Sequence, residues 1–135
     1  MPYSDKENKN SNARLYYEKN KDSVRKYQND WRANHRLQIN EQNKIANANL
    51  KLEVLSHYSP DGILRCTFCE IVDIDMLTLD HVNDDGCKDR HPSGKRRGGV
   101  TMYQHIKALG FPPGYQTLCA NHQLKKEILR RRNIQ

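Results

Sequence analysis

Cys66-Thr67-Phe68-Cys69 and Cys119-Ala120-Asn121-His122 stand on either side of Leu77-Thr78-Leu79-Asp80-His81-Val82, and the fold follows from reading these three stretches together. Two ligands separated by two residues, repeated later in the chain, can converge on one tetrahedral metal ion. Thiolates and imidazole suit zinc, so Cys66, Cys69, Cys119 and His122 are expected to form a closed structural Zn²⁺ site. The middle stretch alternates apolar residues and reads as a strand from Leu77 to Val82. Neighbours on a regular strand point to opposite faces, so Asp80 and His81 share a site only if the strand ends or bends there. Asn83-Asp84-Asp85-Gly86 follows directly and makes such an end credible. A carboxylate in that position can hold a magnesium-like ion, and the adjacent imidazole can take a proton from water.

The rest of the composition fits a small, metal-stapled domain. The chain has 135 residues, of which 36% are hydrophobic and 29% charged. Its mean hydropathy is −1.00. A core this small usually needs a metal or disulfides. The four cysteines allow two disulfides, but the spacing favours three as metal ligands, with Cys87 left over in a polar loop near His91. No apolar run follows the N-terminal Met1, and no stretch approaches the roughly 20 apolar residues of a membrane span. The expectation is an intracellular, cytoplasmic chain with reduced thiols. A net charge of +7 points to a polyanionic partner, with nucleic acid the first candidate.

Along the chain, residues 1–12 are polar and rich in Asn and Lys, and read as a disordered stub. Residues 13–58 contain no Gly and no Pro and read as a helical basic arm, with a break and N-cap at Asp22-Ser23. An echo at an offset of fifteen pairs Tyr16 with Trp31 and Val24 with Ile39, compatible with two helical units in series. Residues 1–58 hold eleven Lys and Arg against seven Asp and Glu, a net of +4. The arm is either a solvated helix or a surface on nucleic-acid backbone, with Tyr16, Tyr17, Tyr27 and Trp31 for stacking. Leu50, Leu52, Val54 and Leu55 are where it would meet the core. Residues 59–135 form the remaining domain, entered through the turn Ser59-Pro60-Asp61-Gly62. A helix is expected over Val100–Leu109 with Met102, Ile106 and Leu109 on one face, ended by Gly110. A final helix should run from Asn121 to Arg132 with Leu124 and Ile128 inward. The fold class is therefore α+β: a small zinc-stapled core preceded by a long helical arm.

The ordered set of Cys-x-x-Cys, Leu-Asp-His-Val-Asn-Asp-Asp-Gly and Tyr-Gln-Thr-Leu-Cys-Ala-Asn-His-Gln-Leu-Lys-Lys resembles the HNH endonucleases. It is similar to the zinc-stapled branch of the ββα-metal nucleases, which includes recombination endonuclease VII of phages, over Cys66 to Lys126. The segment Gly99–Gly114 also looks like phage and mobile-element members. The resemblance implies a metal-dependent endonuclease in which Asp80 ligates a catalytic Mg²⁺ or another divalent cation and His81 is the general base. In such a DNA endonuclease the third catalytic position, usually Asn or His, is Gln123, whose amide oxygen would also ligate the catalytic cation or orient a ligand water. The last zinc ligand, usually Cys, is His122. Asn121 and Glu127 are alternatives for the third role, Asn121 being equally suited to capping the final helix. Arg96, Arg97, Lys125, Lys126, Arg130 and Arg131 would hold phosphates, although helical spacing also suits a merely solvated face. A zinc-stapled nucleic-acid-binding module without catalysis is the alternative function. A homodimer would convert nicking into double-strand cleavage, and no sequence feature establishes one.

Overall fold

The structure is a computed structural model that describes the backbone of residues 3–133 and the side chains of residues 10–133. The chain is α+β. Helices α1 (Tyr3–Asn34) and α2 (Arg36–His57) form the N-terminal arm. A 3₁₀ turn (Pro60–Gly62) follows, then β1 (Leu77–His81), α3 (Val100–Ala108), β2 (Tyr115–Cys119) and α4 (Ala120–Asn133).

Helix begins at Tyr3, so it occupies most of the segment read as a disordered stub. Met1 and Pro2 lie outside the described residues, as do Ile134 and Gln135. Asp22-Ser23 does not interrupt α1, because no Gly or Pro breaks the helical hydrogen-bond run there. Tyr16 and Trp31 accordingly lie in one helix and not in two units. The interruption falls at His35, whose Nδ1 lies 2.8 Å from the Trp31 carbonyl oxygen. Its ring stacks on Trp31 at 4.3 Å.

Two compact units divide the chain, Met1–Asn43 and Lys44–Gln135. The boundary precedes residue 59 because the last turns of α2 are built into the core. Val54 and Leu55 are buried there with Leu77, Met102, Tyr103, Ile106, Leu118 and the thiols of Cys66 and Cys119. Leu50 packs at its edge, whereas Leu52 stays exposed. The end of α2 leaves carbonyls without helical partners. Leu55 O is satisfied by the hydroxyls of Ser59 at 2.6 Å and Thr117 at 2.8 Å, which accounts for two of the buried polar residues.

β1 and β2 pair antiparallel, with Asp80 opposite Gln116 and His81 opposite Tyr115. The chain between them forms α3 flanked by two loops, and α3 ends in a glycine stop. Gly110 sits at φ 73°, donating to Lys107 O, while Phe111 N donates to Ile106 O. Met102 and Ile106 are buried as expected, but Leu109 lies past the last helical residue and is exposed.

The final helix departs from its apolar reading. Leu124 is 62% exposed and Ile128 41%. The half-buried side of α4 carries His122, Gln123, Lys126 and Glu127 instead. These recur at helical spacing, so α4 turns a polar stripe inward, toward the metal ligands and the strand carrying Asp80.

Candidate metal centre and cleft

The two Cys and Cys-His pairs come together. One ligand atom from each of Cys66, Cys69, Cys119 and His122 lies within 4.8 Å of all the others, close enough to hold one metal ion. Zinc–sulfur bonds of about 2.3 Å give a tetrahedral sulfur–sulfur edge of about 3.8 Å. The Cys69–Cys119 sulfurs are 3.8 Å apart, and Cys66 Sγ lies 3.5 Å from His122 Nδ1. The donor set and spacing are therefore compatible with zinc. Burial opposes ionisation of the Cys66 thiol, but N–H groups of Cys119 and Phe68 directed at the sulfur outweigh it and lower its pKa. Cys87 is an exposed free thiol and takes no part in this cluster.

Asp80 and His81 share a cleft because β1 ends at His81. The chain turns back there, with Asp84 N donating to His81 O and Asp84 at φ 57°. The cleft has a volume of about 790 Å³, and its lining includes Asp80, His81, Gln123, Arg96, Arg97 and Arg130. Lys125 and Lys126 line a neighbouring groove with Phe68, Leu129 and Arg130. Arg131 lines neither and pairs with Glu127 at 2.9 Å.

Asp80 is buried at the bottom of this arrangement. Its Oδ2 accepts from Gln116 Nε2 at 2.9 Å and from Lys126 Nζ at 2.6 Å. Lys126 also reaches Asp84 Oδ1 at 2.9 Å and donates to the His81 carbonyl. Three oxygens thus converge on one cation. Burial works against the charge of Lys126, but the hydrogen bonds and charges of Asp80 and Asp84 prevail and raise its pKa. The sequence expected this lysine on phosphate; in the structure its ammonium is engaged by carboxylates.

His81 Nε2 lies 2.5 Å from Asp89 Oδ2, and the hydroxyl of Tyr115 donates to the same oxygen. Burial would raise the pKa of Asp89, yet the hydrogen bonds from Tyr115 and His81 overcome it and hold the carboxyl below its ordinary range. Burial raises the pKa of Tyr115, and the acceptor Asp89 raises it further. Asp89 escaped the sequence reading because it lies in an aperiodic loop. The available signal was its pairing with a strand tyrosine opposite His81, which appears only once the register is known.

Gln123 Oε1 accepts a hydrogen bond from the Thr78 hydroxyl, which uses one lone pair of the amide oxygen. Glu127 is gripped by Arg130 and Arg131, whose hydrogen bonds lower its pKa to about 2. Arg97 Nε is buried with no hydrogen-bond partner among the described residues. Asn121 is exposed. Among the described residues no helix is long and apolar enough to cross a membrane.

No protein-family model matches the chain, and no curated protein or solved structure matches it either.

Proposed function

We propose that this chain is a metal-dependent DNA endonuclease of the HNH type, stapled by zinc at Cys66, Cys69, Cys119 and His122. The observation that carries this reading is the convergence of Asp80, His81 and Gln123 on one cleft whose lining also includes Arg96, Arg97 and Arg130. His81 acts as general base on the attacking water. The oxygens of Asp80, Asp84 and His81 that now meet Lys126 form a hard donor set suited to a divalent cation such as Mg²⁺. Such a cation, when bound, supplies charge stabilisation at the phosphoryl group and the departing 3′ oxygen. Arg97 lines the same cleft, where its guanidinium supplies charge for a phosphate. Incubating an end-labelled duplex with the protein and Mg²⁺ or Mn²⁺ should give nicks bearing 5′-phosphate and 3′-hydroxyl ends. Products with 3′-phosphates would refute this chemistry.

A second reading has its own support. Lys126 occupies the carboxylates, and Thr78 engages Gln123, which suits a zinc-stapled nucleic-acid-binding module without catalysis. Gln123→Asn restores the residue common in HNH nucleases and separates the two. A parent that cleaves excludes the binding module. An inert parent with a cleaving variant supports it.

The arm contributes affinity through charge. Residues 1–43 hold nine Lys and Arg against six Asp and Glu, +3 of the chain's +7, and Tyr16, Tyr17, Tyr27 and Trp31 are solvent-exposed. Deleting Met1–Asn43, the first compact unit, is expected to spare the metal-bound core and weaken DNA binding. The loss should shrink as salt rises, because counterion release drives such contacts. Titrating both chains against one duplex at several salt concentrations checks this. Equal affinities and equal salt slopes would assign the arm another role.

A further inference from the structure

We infer that Asp89 is the positioning residue of the cleft, holding His81 with Nε2–H committed to the carboxylate and Nδ1 left as the nitrogen free to accept a proton. The inference rests on the nuclease reading for its catalytic consequence, and on geometry alone for the pairing. Asp89 Oδ2 lies 2.5 Å from His81 Nε2 and also accepts from Tyr115. A carboxylate is an acceptor only, so Nε2 must carry the proton in this bond. No hydrogen bond engages Nδ1 among the described residues, and a neutral ring with a protonated Nε2 has its lone pair there.

Three residues fix the ring. The loop after β1 turns so that Asp89 N donates to Gly86 O at 3.4 Å. One turn therefore brings both Gly86 and Asp89 against the imidazole. A Cβ at Gly86 would lie 3.1 Å from Nδ1 and 3.2 Å from Cε1, so the missing side chain lets the loop backbone close on the ring. On β2, Tyr115 packs its ring 4.9 Å from that of His81 and bonds the same carboxylate oxygen. Asp89 is thus itself held by a second donor, which is what an orienting group for a general base requires. The role falls to a residue outside both the strand and the metal ligands.

Two readouts test it in the full chain. The imidazole N–H of His81 should give a protected downfield proton resonance, absent in His81→Ala and lost in Asp89→Ala. Cleavage by Asp89→Ala should fall by about 10²–10⁴-fold in kcat, with KM for DNA, metal content and melting unchanged. Should Asp89→Ala fail to fold, Asp89→Asn keeps the shape without the charge. Its amide oxygen still accepts from Nε2, so the resonance should move upfield and kcat should still fall, and an unchanged resonance with parental cleavage overturns the inference. A resonance that is missing in the parent, or that survives in Asp89→Ala, overturns the pairing. A folded Asp89→Ala that cuts at the parental rate overturns the positioning role while the nuclease reading stands. A parent that cuts nothing overturns the nuclease reading and the catalytic role with it, and the resonance alone then decides whether Asp89 holds His81.

Discussion

Stripping the metal from Cys66, Cys69, Cys119 and His122 is expected to unfold the compact unit, not merely to loosen it. Nine residues make up its buried apolar core among those described, and two of them are the ligands Cys66 and Cys119. Structural zinc contributes roughly 10–16 kcal/mol in apparent terms, about the entire stability of an ordinary domain. The remaining apolar side chains are too few to replace it. Without the ion, the ligand thiols take up protons and the bonds that tie Cys66 and Cys69 to Cys119 and His122 are lost. Chelation, or Cys66→Ser, should therefore abolish amide protection in β1 and β2. Metal analysis of the parent should find one zinc per chain. A zinc-free protein with the same strand protection and the same melting temperature would contradict the staple.

His81→Ala is expected to reduce cleavage by at least about 10²–10⁴-fold, the usual worth of a positioned general base. DNA affinity should hold, because the charges of Arg96, Arg97 and Arg130 that line the cleft remain. Folding should hold as well, since His81 ends β1 at the cleft and lies outside the buried cluster. Single-turnover rates at saturating duplex, with melting and zinc content measured alongside, separate loss of chemistry from loss of structure. A variant that cuts as fast as the parent would remove His81 from the mechanism.

The parts of this fold that local chemistry dictates were legible in the sequence. Thiol and imidazole spacing placed the four ligands together, and apolar alternation located β1 to within one residue. Gly110 marked the end of α3 because a left-handed residue is needed there. Tertiary context governed the rest. Leu124 and Ile128 imitate an inward stripe, but α4 faces polar partners, so His122, Gln123 and Lys126 take the inner side. The Asp22-Ser23 capping signal yields to uninterrupted helix on both sides. Lys126 and Asp89 acquire their partners from residues 46 and 8 positions away, Asp80 and His81, and no local pattern encodes either contact.

Divalent-metal-dependent DNA cleavage at the Asp80–His81 cleft is tested in supercoiled plasmid. Purified protein is incubated with plasmid and Mg²⁺, Mn²⁺ or EDTA, with zinc occupancy measured before and after each incubation. Conversion to open-circular or linear DNA with Mg²⁺ or Mn²⁺, and none with EDTA while zinc is retained, is the predicted result. Plasmid that stays supercoiled under every divalent metal, with the protein folded and zinc-loaded, would contradict it.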